Sequence, residues 1–492
     1  MGSPKRLHFF GDGMIKDSQF PKTATELRSN LVRNELSLDE VVHHQETLLN
    51  RHKELNAIVE ACDLTNLESE VKSHYWGAYK IEQPLFGVPI SVKDIIAVKG
   101  LHLTAGSLLL RENIAQIDAP VVQRAKHAGG FIIGKTNCPE FAFGVGTSNK
   151  LFGTTYNPLN MELSPGGSSG GEAVSVAIGT SLIGVGSDYG GSIRWPAQCL
   201  GILGIRPTPG RIPSMGQIPG VGSSGCDGES LYPRTSLQSA LQVPGFLARS
   251  VADLDLAITA TYGYHYSDPT SVPMPAGPIK NIESTELTVA WSDGTSLGPV
   301  DSEIVAAISS LANLLADIGL RVIELPDMFK GAREAFDELR DYDELREVRR
   351  LAKGQEEMLT DGLRSILSKP LPSRDGYSKA YERAMSQRKV ALETLKKHPI
   401  CLLPVAGASA MDHNNRSTIG SLEISGFDLM AHCRAVSLIG APVVSMPIAK
   451  SKQGMPISVQ VVAQPWQESQ MLAFASLLEQ LGFGWQQILP DS

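Results

Sequence analysis

Two residues in this chain, Ser168 and Ser192, are of a type and setting that could attack a carbonyl, and a third, Lys93, could do base chemistry. Both serines sit in glycine-flanked turns, Gly166-Gly167-Ser168-Ser169-Gly170-Gly171 and Gly190-Gly191-Ser192. Glycine on either side of a serine permits sharp turns and leaves backbone N–H groups uncovered, able to converge on one point. A hydroxyl at such a bend is placed as a nucleophile, and the converging donors suit the oxygen that becomes negative when it attacks. The alternative, a flexible Gly/Ser linker, is disfavoured because Ala173, Val174, Val176, Ala177 and Ile178 follow at once, a run suited to a close-packed buried helix.

Lys93 ends an apolar strand that begins near Pro84 and is followed by Asp94. An ammonium in such a strand is costly to bury alone. It must either pair with a carboxylate or be kept neutral for base chemistry, since burial lowers its pKa; the strand by itself favours the ion pair.

Two formal motif matches do not fit their surroundings. Gly129 to Thr136 matches a Walker A pattern, yet Phe131-Ile132-Ile133 inside it reads as the strand itself, and the segment leads into Asn137-Cys138-Pro139 instead of opening a helix. Gly166 to Gly170 matches the GxSxG nucleophile elbow, but Pro165 and two glycines precede the serine, and the downstream histidines His265, His398, His413 and His432 carry no local signature.

The elements that must position these residues alternate strand and helix along the whole chain, which indicates α/β with one large mixed sheet between helices. Helices are predicted over 23–35 and 37–62, the second opened by the capping box Ser37-Leu-Asp-Glu40, together forming an N-terminal hairpin over 23–62. The core spans 84–211, with a helix, a Gly-Gly cap and a strand over 119–137. A Gly/Ser/Pro-rich loop over 212–236 reads as a lid or binding wall. A helix is expected to start within Val243–Ser250 and run through Leu256. A β-α-β unit follows (287–291, about 302–315 and 321–325), then a charged helical cap over 328–398. Strands return at 400–405, 443–447 and 457–462, with a closing helix over 467–481. No linker divides the 492 residues, so a single domain is expected.

Hydrophobic residues make up 42% and charged residues 20%, the balance of a globular protein. A net charge of −8 without a Lys/Arg stripe argues against nucleic acid as a partner. Six scattered cysteines (Cys62, Cys138, Cys199, Cys226, Cys401 and Cys433) show no metal-binding spacing and read as thiols of a reducing compartment. Without a signal-like N-terminus or an apolar run of membrane length, the expected location is the cytoplasm, with no membrane association.

The residues resemble the amidase signature family. The similarity is carried by GVPISVKD (87–94), DAPVVQRAKHAGGFIIGKTNCPEFAFG (118–144), SPGGSSGGEAVSVA (164–177), GSDYGGSIRWPAQCLGILGIRPTPGR (186–211) and GAPVVSMPIA with GMPISVQVVAQP (440–465). The resemblance implies the amidase signature fold and a Ser-cisSer-Lys triad falling on Ser192, Ser168 and Lys93, with a cis bond between Gly167 and Ser168. It implies Lys93 as the base, against the ion pair that the strand alone favours. It further implies an oxyanion hole from the N–H groups of Tyr189, Gly190, Gly191 and Ser192, structural support from Asp188 and Arg194, and a hydrogen-bonding role for Ser169. No metal or organic cofactor is implied. Arg206 departs from the family's usual lysine in the motif Gly204-Ile-Arg206-Pro-Thr.

The expected activity is hydrolysis of C–N bonds through an acyl-enzyme, in amides and, as in some relatives, aryl amides or carbamates. The partner is a small-molecule substrate, and the protein a monomer or homodimer. The alternative is the glutaminase subunit of a tRNA-dependent amidotransferase. Retention of all three triad positions argues against a non-catalytic relative.

Overall fold

In the computed structural model, the described residues are 20–64, 82–218, 240–274, 277, 287–342, 345–370 and 373–485. Eleven strands form one mixed sheet. In chain order they are β1 (Ile58–Ala61), β2 (Pro89–Lys93), β3 (Phe131–Thr136), β4 (Ile183–Asp188), β5 (Leu203–Arg206), β6 (Val243–Ala248), β7 (Thr288–Trp291), β8 (Arg321–Glu324), β9 (Ile400–Pro404), β10 (Val443–Lys450) and β11 (Pro456–Ala463). Their spatial order is β1-β3-β2-β4-β6-β5-β10-β11-β9-β7-β8. β3, β2 and β4 run parallel, as do β9, β7 and β8, while the strands between pair antiparallel.

Successive strand residues point to opposite faces, and both faces here are apolar. Ile400 and Leu402 of β9 join one buried cluster, whereas Cys401 and Leu403 join another. Helices cover the sheet on both faces, as the alternating pattern predicts.

The helices are α1 (Ala24–Val32), α2 (Leu38–Arg51), α3 (Pro120–His127), α4 (Gly170–Ile178), α5 (Arg194–Leu200), α6 (Val251–Thr261), α7 (Ser302–Asp317), α8 (Ala332–Asp341), α9 (Arg346–Ala352), α10 (Asp361–Ser368), α11 (Arg374–Lys397), α12 (Gly426–Leu429), α13 (Ala431–Ile439) and α14 (Glu468–Gln480). The capping box opens α2 as expected, with Ser37 N–H donating to Glu40 at 2.8 Å and Glu40 N–H donating to Ser37 Oγ at 3.2 Å.

Two expectations need correction. The second helix stops at Arg51, and Ile58–Ala61 pairs instead with β3 at the sheet edge. The break falls at Asn56, which adopts φ +52° and turns the chain into the strand. Likewise Val243–Ala248 is not the start of a helix but a fully buried strand between β4 and β5; the helix begins only at Val251, capped by Ser250. Gly245 makes that strand possible, since a Cβ there would stand 2.3 Å from the Ile205 carbonyl oxygen.

The region over 328–398 is helical as predicted, with α8 and α11 packed on each other and on α13. A β-hairpin, Arg416–Ile419 with Leu422–Ser425, has no counterpart in the sequence reading. The 212–236 loop is described only up to residue 218, and the rest of it, with Cys226, lies outside the described residues. No helix among the described residues is long and apolar enough to cross a membrane.

Candidate active site

Lys93 is the last residue of β2, and its side chain is fully buried. Its Nζ lies 2.6 Å from Ser168 Oγ, 3.0 Å from Ser169 Oγ and 3.1 Å from Ser187 Oγ. Burial is the largest influence on this amine and lowers its pKa to about 8, although Cys138, Asp188 and Glu172 pull the other way. Asp94, the next residue, does not pair with it. That carboxylate lies 3.5 Å from Lys135, which also donates to the carbonyls of Ile96 and His102. The buried ion pair considered for Lys93 therefore exists one strand away. It also accounts for the Walker-like Gly134-Lys135-Thr136, which lies within β3.

Ser168 and Ser169 immediately precede α4, and the Gly167–Ser168 peptide is cis. Every residue of α4 is buried. A Cβ on Gly171 would stand 2.6 Å from the Asn137 backbone, so the helix can approach the chain after β3 only because of that glycine. Beneath the lysine, Glu172 of α4 accepts from Ser91 Oγ at 2.5 Å and Thr136 Oγ1 at 2.6 Å. Burial raises this carboxyl to about 7, against the pull of the two hydroxyls and Lys93.

The second serine turn leaves the end of β4. Ser192 is half-buried, and the two turns are bonded to each other through Ser169 N–H, which donates to the Ser192 carbonyl at 3.1 Å. Ser169 Oγ also lies 3.3 Å from the Ser187 carbonyl. Asp188 organises the turn: it accepts from Gly191 N–H at 2.9 Å, Ile193 N–H at 3.1 Å and Arg194 Nε at 3.0 Å. Burial by itself would raise its pKa, but Arg194 and then Arg206 hold it down to about 2. Arg194 extends the bracing, donating to the Cys433 carbonyl (2.9 Å), Gln460 Oε1 (2.6 Å) and Ser437 Oγ (2.7 Å). Arg206 sits 3.5 Å from Asp188 and donates to the carbonyls of Ala441 and Leu241 at 3.1 and 2.9 Å. Its planar fork serves two segments at once, which a lysine ammonium does with less fixed geometry.

One of the four expected oxyanion donors is engaged elsewhere, because Gly191 N–H points to Asp188. The N–H groups of Gly190 and Ser192 make no hydrogen bond among the described residues.

Ser168, Ser187, Tyr189, Gly190 and Ser192 line one cavity of about 250 Å³. Its walls are largely apolar. Phe143 and Val145 come from the segment after β3, Phe336 and Arg340 from α8, Ile366 from α10, and Phe427, Met430 and Arg434 from α12, α13 and the residue between them. The helical cap thus contributes to the cavity, as does Gln242 beside β6, whereas none of the described residues 212–218 lines it. The wall formed by Asn415, Phe427, Met430 and Arg434 was not anticipated. No histidine among the described residues lines the cavity, and His432, buried and held near pKa 4 mainly by desolvation, lies 3.1 Å from the Gly294 carbonyl through Nε2. The nucleophile-elbow reading accordingly has no histidine to work with here.

The sequence profile described as Amidase matches residues 45–472. The chain belongs to the amidase signature family. Among its relatives, a glutamyl-tRNA(Gln) amidotransferase subunit from Lawsonia intracellularis is 30% identical over 481 residues, covering 92% of this chain and 96% of that protein. A chain from a vestigial protein complex described as revealing the origins of an s-triazine catabolic enzyme superposes with a TM-score of 0.82 at 26% identity, over 94% of this chain and 99% of that one. A bacterial aryl acylamidase of the amidase signature family superposes with a TM-score of 0.78 at 21% identity, over 95% and 97% of the two chains, and shows the fold alone. Membership of this amidase family supports amide hydrolysis as the general activity.

Proposed function

We propose that this chain is a free-standing serine amidase that cleaves C–N bonds through an acyl-enzyme, with aryl amides and carbamates in its range. The observation that carries this reading is the amine of Lys93, 2.6 Å from Ser168 Oγ at the base of an apolar cavity that also exposes Ser192. Neutral Lys93 draws the proton of Ser168, which takes that of Ser192 as the Ser192 oxygen bonds to the substrate carbonyl carbon. The two hydroxyls share no hydrogen bond among the described residues, and such contacts tighten when substrate arrives. The carbonyl oxygen turns negative and is held by the N–H groups of Gly190 and Ser192, with Tyr189 alongside; one donor of this kind is worth roughly 3 kcal/mol. The C–N bond then breaks, the amine leaves with the relayed proton, and water hydrolyses the ester on Ser192. A carbamate presents the same carbonyl and follows the same path.

A second reading is the glutaminase component of an amidotransferase, favoured by 30% identity to one such protein over 92% of this chain. Glutamine carries an ammonium as well as a carboxylate, and among the described residues the cavity lining offers no Asp or Glu to receive it. That weighs toward the free-standing amidase.

The test is a panel of a p-nitroanilide, a primary aliphatic amide, glutamine and an N-aryl carbamate, each run with wild type and Ser192→Ala. Arylamine release that requires Ser192 supports the proposal. Turnover of glutamine alone, with co-purifying partner proteins, overturns it in favour of the second reading.

A further inference from the structure

We propose that Arg340 receives a carboxylate of the substrate, so that the amide cleaved here is an anionic one with an apolar body and no ammonium. This inference rests on the amidase reading and names the class of substrate for the same site.

Among the described residues, Arg340 and Arg434 are the charged groups of the cavity lining, and no Asp or Glu joins them. The two guanidiniums share the Phe427 ring, with Arg340 Cζ 4.7 Å and Arg434 Cζ 3.7 Å from its centroid. Their charges are not equivalent. Arg434 is neutralised by Asp337, its Nε 2.5 Å from that carboxylate, and donates to the Phe427 carbonyl. Arg340 has no ion pair or hydrogen bond to the protein among the described residues.

The carboxylates of α8 leave none for it. Asp337 is shared by Arg434 and Arg333, Glu334 pairs with Arg333, and Glu338 pairs with Arg383. Asp341 is exposed and adjacent in sequence, a spacing at which helical side chains do not face each other. Phe336 lies one turn before Arg340, so the same face of α8 presents an apolar contact and a cation without a described counter-charge to the cavity. A partly buried guanidinium stacked on an aromatic ring, with its donors unclaimed among the described residues, is arranged for a planar carboxylate.

Two pairs of ligands test this by calorimetry on Ser192→Ala protein, which removes turnover from the measurement. One pair is glutaric acid mono-anilide against valeranilide, with the charge on the acyl side. The other is 4-butyramidobenzoate against butyranilide, with the charge on the amine side. One charged ligand is expected to bind about 10- to 100-fold more tightly than its neutral partner, the range of a hydrogen bond to a charged group. Adding Arg340→Gln should erase that ratio by weakening the charged ligand far more than its neutral partner, and Arg340→Lys should keep part of it. Equal affinity in both pairs, a ratio that survives Arg340→Gln, no measurable binding by either carboxylate, or glutamine binding as tightly as the better carboxylate would each overturn the proposal. Wild-type turnover of all four ligands is measured separately. Cleavage of none of them counts against the amidase reading, while the binding ratios still judge Arg340.

Discussion

Lys93 Nζ lies 2.6 Å from Ser168 Oγ, and that contact takes the place of the carboxylate a buried ammonium would ordinarily require. The arrangement keeps the amine easy to deprotonate.

The first prediction concerns pH. With Lys93 at about 8, the neutral amine is the minor form below that value and the major form above it. If it is the base, kcat/KM rises about tenfold per pH unit on the acid side and levels off above the lysine's pKa. Steady-state kinetics from pH 6 to 9.5 provide the check. A flat profile, or one falling as pH rises, removes Lys93 as the base. Lys93→Ala should cost several orders of magnitude at neutral pH.

Ser192→Ala should reduce turnover of any substrate found in the panel by about 10⁴-fold or more, the scale of removing a nucleophile that acts as one unit with its base. The far-ultraviolet circular dichroism and urea midpoint should be unchanged, since this half-buried side chain braces nothing. Activity within tenfold of wild type would place the nucleophile elsewhere.

Asp188→Asn leaves Arg194 and Arg206 buried without their shared carboxylate. Breaking a buried pair from one side costs about 3–5 kcal/mol, and the loss should appear as a lower urea midpoint together with lower kcat. Because Asp188 is held at about 2, its contribution should persist above the ordinary carboxylate range and fade only as pH falls toward that value. A wild-type midpoint in the variant would remove Asp188 from the frame of the turn.

Gly191→Ala meets two obstacles. The backbone there has φ +123°, and the new Cβ would stand 2.6 Å from Cys433 Cβ. Activity and stability should drop together, because the residue adjoins Ser192 and Cys433 lies on the fully buried helix α13. Soluble Gly191→Ala protein with wild-type kcat would contradict this.

The proposed reacting groups could be singled out because glycine-serine turns and a lysine at a strand end are local patterns. The fold class was legible from alternating strands and helices, and β7-α7-β8 matched its predicted bounds closely. The cavity wall was not. Asn415, Phe427, Met430 and Arg434 lie in and beyond a hairpin region that the sequence reading did not find, and nothing local marks them as neighbours of Ser192. Strand β6 was misread because Pro244 and Gly245 weaken a strand pattern, and only the approach of the β5 backbone explains the glycine. The engagement of Gly191 N–H by Asp188 depends on a turn geometry that spacing does not reveal.

Arg194 ties the turn that carries Ser192 to Cys433, Ser437 and Gln460. A ribosome that has reached residue 211 has therefore made Lys93, Ser168 and Ser192 without making the braces of the site. The nascent chain then carries these serines and this lysine without their braces, and the bracing closes only once β11 has been delivered.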